Sequence, residues 1–364
     1  MKNCNFVNNS ANRGGGVCWS GANGHLSMCV FINNTANQYG GGILWMGLDG
    51  TVTSSNFINN TAVSSDGGAI NCGGREFKVS NSNFTSNTAY RDGGAICIWN
   101  KNSIVSDSTF TSNHANGSGG GLFFGLNSDN SCLTDSTFID NTANYGGGVY
   151  FTKNTYNGIL KGSTFTGNKA NNYGGGIYWA GVNGSLTGCS FIGNNASTNG
   201  GGIFLALSEN NILSNSNFIN NNANTFGGGV CYSSAVNCTL TGCNFNNNTA
   251  SHGGGVSWGG NIGILSDSTF KDNTATNSGG AVYWAVNGSL INCTFSNTKW
   301  INNISKSNGI FTNQYMNING GKGIVDIWNI NTLSGISVVV LNNETYYYPP
   351  NTNINFTDNR MIRD

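Results

Sequence analysis

The sequence predicts an all-β fold, a parallel β-helix of about eleven stacked coils with roughly 26 residues each. Three observations predict it. Phenylalanine recurs in steps of 25 to 28 residues from Phe6 to Phe295. Asparagine stands three positions after the phenylalanine and alanine five positions after it, in the first eleven repeats. A glycine cluster with an aliphatic residue follows eight to ten positions after it, as in Gly40-Gly41-Gly42-Ile43 and Gly253-Gly254-Gly255-Val256. Columns held in fixed phase over so many repeats mark a solenoid, in which each unit buries its apolar face only against its neighbours.

Each column has a physical reading. Phe31, Phe57, Phe84, Phe110, Phe138, Phe165, Phe191, Phe218, Phe245 and Phe270 are expected to stack inside the coils. Leu or Val five residues earlier, as at Leu26 and Val52, forms a second inward stack. Ser or Cys two residues before the phenylalanine fits where the interior is narrow. Trp45, Phe124, Phe151, Trp179, Trp258 and Trp284, two residues after the aliphatic position, also face inward. Asn34, Asn60, Asn87, Asn113, Asn141, Asn168, Asn194, Asn221, Asn248 and Asn273 are expected to form a ladder at a turn. Asparagine tolerates left-handed backbone, and its amide reaches the adjacent coil. The glycines serve a corner that other residues adopt only with strain.

Helix is excluded by the density of Gly, Asn, Ser and Thr, all poor in helix interiors. The alternation at Ile43/Trp45 and Cys29/Phe31 is strand periodicity. Each coil should hold two or three short strands, stacked about 4.8 Å from those of the next coil. Length alone would suggest two or three globular domains. The repeats instead occupy residues 1–298, with 299–334 a terminal coil, cap and linker, and 335–364 a different β segment.

Composition narrows the function. Only 8% of residues are charged and the net charge is zero. That leaves no basic face for nucleic acid. Aromatic residues at 11% and hydrophobic residues at 38% argue against disorder. No apolar run of bilayer-spanning length occurs. The first residues already read as mid-repeat, without a signal peptide. A fragment of a longer chain, or one whose export signal is lost, is therefore expected, with flanking domains missing.

Phe84/Asn87 with Gly93-Gly94-Ala95-Ile96 resembles the repeats of the polymorphic outer-membrane proteins. Asn33-Asn34-Thr35-Ala36 with Gly40-Gly41-Gly42-Ile43 resembles the adhesin-like surface proteins of methanogenic archaea. The resemblance covers residues 1–298. It implies a right-handed parallel β-helix, an extracellular or cell-surface location, and binding to glycans or proteins of another cell. Gly335 to Tyr346 resembles the opening of an Ig-like module, here too short for a whole sandwich.

Pectate-lyase-like β-helix enzymes need clustered carboxylates with a base, on one face. The chain has 15 acidic residues. Asp107 and Asp135, three positions before their phenylalanines, fall on adjacent coils and are the weak candidates for a metal or acid pair. The plainer reading is that Asp, Asn and Gly interchange there because a turn needs them. His25, His114 and His252 lie in different coils, without zinc-ligand spacing, and are read as surface residues. The glycine clusters recur in every coil, so none is a nucleotide fingerprint. No cofactor and no catalysis are expected.

The eleven cysteines show no framework spacing. Cys4, Cys29, Cys189, Cys243 and Cys293 share the serine column and read as small buried thiols. One column remains for binding, the residue between the aliphatic position and the Trp position. It carries Phe123, Tyr150, Tyr178, Phe204 and Tyr283, and also Asn71 and Ser257. Its polar members predict an outward-facing row, able to stack on sugars or contact a protein. A cross-strand ladder that merely stiffens the sheet is the alternative. Between a binding scaffold, an enzyme and a structural spacer, the sequence favours the scaffold.

Overall fold

The computed structural model describes residues 1–284, 288–296, 299–300, 310–312, 315–327, 337–341, 344–348, 352–357 and 360–362. Among them there is no helix, and the fold is a parallel β-solenoid of about eleven turns. The chain divides into two compact units, Met1–Ser185 and Leu186–Asp364.

In the first unit one turn shows the plan. Thr51–Thr53 and Asn56–Ile58 enter one sheet, Thr61–Ala62 a second and Ile70–Cys72 a third. Each strand pairs in parallel with its counterpart in the next turn, like on like. Val52 lies beside Val79, Phe57 beside Phe84, Ala62 beside Ala89 and Ile70 beside Ile96. A turn therefore holds four short strands, one more than the largest number expected. The additional one is the two-residue Thr-Ala strand, too short to show an alternation in sequence.

The phenylalanines from Phe6 to Phe165 form an unbroken stack, with ring centroids 4.5 to 4.9 Å apart. That is the strand spacing of a sheet, so the rings rise with the backbone. Trp19 stacks on Trp45 at 5.0 Å, and Phe124 on Phe151 at 4.4 Å. Full burial of such rings contributes about 1.5–3 kcal/mol each.

The asparagine ladder is closed completely. Asn60 Oδ1 accepts the backbone N–H of Asn34 at 3.0 Å and Asn34 Nδ2 at 2.9 Å. Asn60 Nδ2 donates to Asn87 Oδ1 and to the Phe31 carbonyl, both at 3.0 Å. These asparagines are fully buried. They do not carry the left-handed backbone expected of them. It falls on the residue before, at Asn33 (φ 54°), Asn59 (φ 54°) and Ser86 (φ 55°). The left-handed residue turns the chain so that the next side chain can point inward.

The serine column is a second hydrogen-bond ladder, which the sequence reading took for a matter of size. Ser55 N–H donates to Ser82 Oγ at 3.1 Å, and Ser55 Oγ donates to the Thr53 carbonyl at 2.8 Å. Cysteine does the same work: Cys29 Sγ donates to the Ser27 carbonyl at 3.2 Å and accepts the Cys4 N–H at 3.4 Å. All eleven cysteines are free. At the glycine corner, Gly40 has φ 67°. A Cβ on the following Gly41 would lie 2.2 Å from the Gly68 carbonyl oxygen, so no side chain fits.

The second unit repeats these devices. Phe191, Phe218, Phe245 and Phe270 stack at 4.7 to 4.9 Å. Asn221 closes the same four hydrogen bonds as Asn60, to Asn194, Asn248 and the Phe191 carbonyl. Tyr232, Trp258 and Trp284 form the inner aromatic stack. Parallel pairing continues through Tyr315–Ile327, which lies beside Gly288–Ser296, to Ser337–Leu341. Antiparallel pairs follow, Ser337–Leu341 with Glu344–Tyr348 and Thr352–Thr357 with Arg360–Ile362. Residue 298, the expected end of the repeats, lies outside the described residues, as do Gly335, Ile336, Asn342 and Asn343 of the stretch read as Ig-like.

Candidate functional site

The residues between the aliphatic and Trp positions lie in register down the third sheet. In the first unit the order is Leu44, Asn71, Cys97, Phe123, Tyr150, Tyr178. In the second it is Phe204, Cys231, Ser257, Tyr283. Their neighbours along the strand, Ile70 and Cys72 for example, point into the core, so this column is on the opposite face.

That face is less open than expected. Phe123 is 4% exposed and Phe204 5%, while Tyr150, Tyr178 and Tyr283 are half-buried. Asn71 and Ser257, whose polarity suggested exposure, are buried as well. The cause is that the column forms the floor of a trough. One bank is the residue before each glycine corner: Arg13, Tyr39, Asp66, Asp92, Ser118, Tyr145 and Tyr173 in the first unit. On the other bank stand Met46 and Trp99. Trp99 meets Phe123 edge-on at 5.4 Å, and Tyr145 meets Tyr178 edge-on at 6.1 Å. Tyr150 and Tyr178 stack at 4.5 Å. Burial pushes both of these phenols up.

At one end of the first unit the trough deepens to a cavity of about 320 Å³, with Leu44 and Asn71 as its floor and Arg13, Tyr39, Asp66, Arg91, Met46, Gly73 and Trp99 around it. A charged cluster that breaks the repeat lines it. Asp66 is fully buried. Its Oδ1 accepts Arg91 Nε at 3.0 Å and the Asp92 N–H at 3.2 Å. Its Oδ2 accepts Arg91 Nη2 at 2.7 Å and Ser65 Oγ at 3.2 Å. The hydrogen bond to Asp66 holds the Arg91 guanidinium still further above its ordinary value. Asp92 is raised by burial, against the Ser118 N–H that donates to its Oδ1 at 2.8 Å. Arg13 Nε donates to Gln38 Oε1 at 2.7 Å, and its guanidinium lies 5.9 Å from the centre of the Tyr39 ring. Asn71 Nδ2 is buried and has no hydrogen-bond partner.

In the second unit the corresponding trough is uncharged. Its bank carries Asn199, Phe226, His252 and Ser278. Phe226 stacks on His252 at 5.0 Å, and His252 leans on Tyr283 at 5.2 Å. His252 is therefore half-buried rather than a free surface residue. Burial lowers its pKa, and Nδ1 lies 2.6 Å from Ser278 Oγ.

The sequence candidates for metal or acid chemistry sit elsewhere. Asp107 and Asp135 both have φ 48° and occupy left-handed turn positions following the paired Ser106 and Thr134. Asp135 Oδ1 fills the space that a Cβ on Gly162 would need. His114 bonds Thr142 and Asn116. Among the described residues no group of three or more His, Cys, Asp or Glu could hold a metal ion. No described helix is long and apolar enough to cross a membrane. The Asp66–Arg91 pair was missed because the two residues lie 25 apart in sequence. Its signal was available as an acid at Asp66 in a column that holds Tyr39 one turn earlier.

The fold and the repeated columns define a parallel β-helix repeat protein. Four segments are similar to a known repeat: residues 28–44, 81–98, 162–178 and 267–283 each match the Chlamydia polymorphic membrane protein (Chlamydia_PMP) repeat. Each matched segment runs from the turn before the Ser/Cys column through the Phe and Asn columns to the glycine corner and its strand. The comparisons give no support to the archaeal side of the resemblance. No curated protein and no solved structure matches the chain.

Proposed function

We propose that the chain is an adhesin-like scaffold of the cell surface, without catalytic activity, whose trough along the third sheet binds glycans or proteins of another cell. The observation that carries this reading is the contrast within one coil. The Phe, Asn and Ala columns that face the core repeat the same residue, whereas the trough changes from turn to turn and gathers half-buried tyrosines at Tyr150 and Tyr178. Large aromatic rings with polar tips are the side chains that interfaces favour. The repeat type favours the surface location. Catalysis is left out because Asp66 has both oxygens occupied and Asp107 and Asp135 serve turns, so these three carboxylates are not set up as a general acid or base.

Glycan-array and cell-binding assays of the intact chain test this. Binding is expected, with a loss of about tenfold or more in the Y150A/Y178A double variant, since an interface tyrosine commonly contributes over 1 kcal/mol. No binding by the intact protein would leave a structural spacer. Cleavage of any polysaccharide would restore the enzyme.

A further inference from the structure

The cavity lined by Asp66 and Arg91 does not follow from the repeat, because the Asp66 column changes from Arg13 and Tyr39 to Ser118, Tyr145 and Phe226, and the Arg91 column elsewhere carries only uncharged residues such as Gln38, Ser65 and Asn144. Its hydrogen-bonding capacity is one-sided. Asp66 already accepts four hydrogen bonds, two on each oxygen. Arg91 gives Nε and one Nη2 N–H to Asp66, while its side chain stays 51% exposed. The guanidinium is thereby fixed in place, with N–H groups to spare on a side chain that lines the cavity. Asn71, 4% exposed and on the cavity floor, keeps a buried Nδ2 with no acceptor. The unspent groups of Arg91 and Asn71 Nδ2 are donors, and those of Arg91 belong to a cation. They call for an acceptor-rich, negatively charged group. Arginine held in a planar fork suits a carboxylate, and its orientation is set before binding.

The walls add a second requirement. Tyr39 and Trp99 are half-buried and both line the cavity. Aromatic faces carry negative potential and favour the polarised C–H groups of a sugar ring. At about 320 Å³ the space is at the small end of ligand clefts.

We propose that this cavity binds a saccharide unit bearing a carboxylate, a uronic-acid type of sugar, with the ring against Tyr39 and Trp99 and the carboxylate on Arg91 and Asn71. The inference rests on the surface-binding reading and adds a ligand class and a location to it.

Titration of the intact chain with glucuronate, glucose and acetate, followed by calorimetry and by the nuclear magnetic resonance of the Trp99 indole, tests it. Glucuronate is expected to bind one site with a roughly millimolar Kd, the range open to so small a ligand. Glucose lacks the carboxylate and acetate lacks the ring, so each should bind about tenfold more weakly or worse. Arg91→Lys keeps the charge but loses the fork, and should weaken glucuronate about tenfold. Asn71→Leu should do the same; Leu44 already holds the adjacent position of that column. Unchanged thermal unfolding of the variants shows that the coils remain intact.

Equal binding of acetate would reduce the cavity to a simple anion site and overturn the proposal. So would equal binding of glucose, failure of glucuronate to saturate any site, or full binding by Asn71→Leu and Arg91→Lys. If the chain binds cells or glycans and these two variants bind equally well, the acidic-sugar site falls while the scaffold reading stands. If glucuronate binds as described but no cell or glycan surface is captured, the scaffold reading falls and the site stands.

Discussion

The asparagine ladder and the floor of the trough are both buried, both run along the same coils, and both repeat with the same spacing, yet one is constant and the other is not. Asn34, Asn60, Asn87 and Asn113 are identical and fully buried. Leu44, Asn71, Cys97 and Phe123, from the same four turns, are also buried and share no chemistry. Burial is therefore not what holds a column constant. The ladder position must accept two hydrogen bonds and donate two, in fixed directions, to groups of both neighbouring turns. No other side chain offers that set in that size. Leu44, Asn71, Cys97 and Phe123 meet no such fixed set of hydrogen bonds, so any shape that the banks can cover is admitted.

The largest expected effect breaks the ladder. Asn87→Ala removes the acceptor of the Asn60 backbone N–H and of Asn60 Nδ2, and the donor to Asn113 Oδ1 and the Phe57 carbonyl. A buried polar group left unpaired costs about 1–3 kcal/mol. With two donors orphaned, a loss of about 4 kcal/mol is expected in denaturant unfolding. Asn71→Leu, one turn earlier and equally buried, should change stability by less than about 1 kcal/mol, since it relieves an unpaired amide. Similar losses for the two variants would show that burial alone sets the difference.

The serine column sharpens the comparison at smaller magnitude. Ser82 Oγ accepts the Ser55 N–H at 3.1 Å and donates to the Ser80 carbonyl at 2.8 Å. Ser82→Ala should cost about 2 kcal/mol by orphaning the Ser55 N–H. Ser82→Cys should cost less than about 1 kcal/mol, because Cys29 Sγ already makes both kinds of contact and Cys243 Sγ donates to the carbonyl two residues back. Equal losses would mean that the column selects volume and not hydrogen bonding.

This difference also explains what the sequence could disclose. Phe57, Val52, Asn60 and Gly41 meet the same partners in each turn, so one physical demand is written many times over and a single chain exposes it. Asp66 and Arg91 meet each other once. Their contact joins positions 25 apart through side-chain reach, and a single departure from a column looks no different from drift. The Ser/Cys ladder was visible as a column, but its direction, Oγ to the carbonyl two residues back, depends on backbone geometry. Asn71 shows the opposite failure: its polarity pointed outward, while it lies 4% exposed on the floor of a cavity walled by Tyr39 and Trp99.

The smallest effect expected concerns pH, and it separates ladder from trough once more. The ladder holds no titratable group. In the second unit the trough holds His252, half-buried against Phe226 and Tyr283, with a pKa lowered from 6.5 by burial. Above pH 6.5 the imidazole is neutral in folded and unfolded chains alike and contributes no pH dependence. As pH falls through 6.5 the unfolded chain takes up a proton that the folded chain does not, so stability declines. The decline ends below the folded-state value, where both forms are protonated. His252→Asn removes the titration and places in the bank a residue that Asn199 shows to fit there. Denaturation midpoints at about pH 7.5 and about pH 5 should therefore differ more for the parent chain than for this variant. Equal differences would mean that the ring turns out to solvent when protonated, and that this part of the trough opens without strain on the coils beneath it.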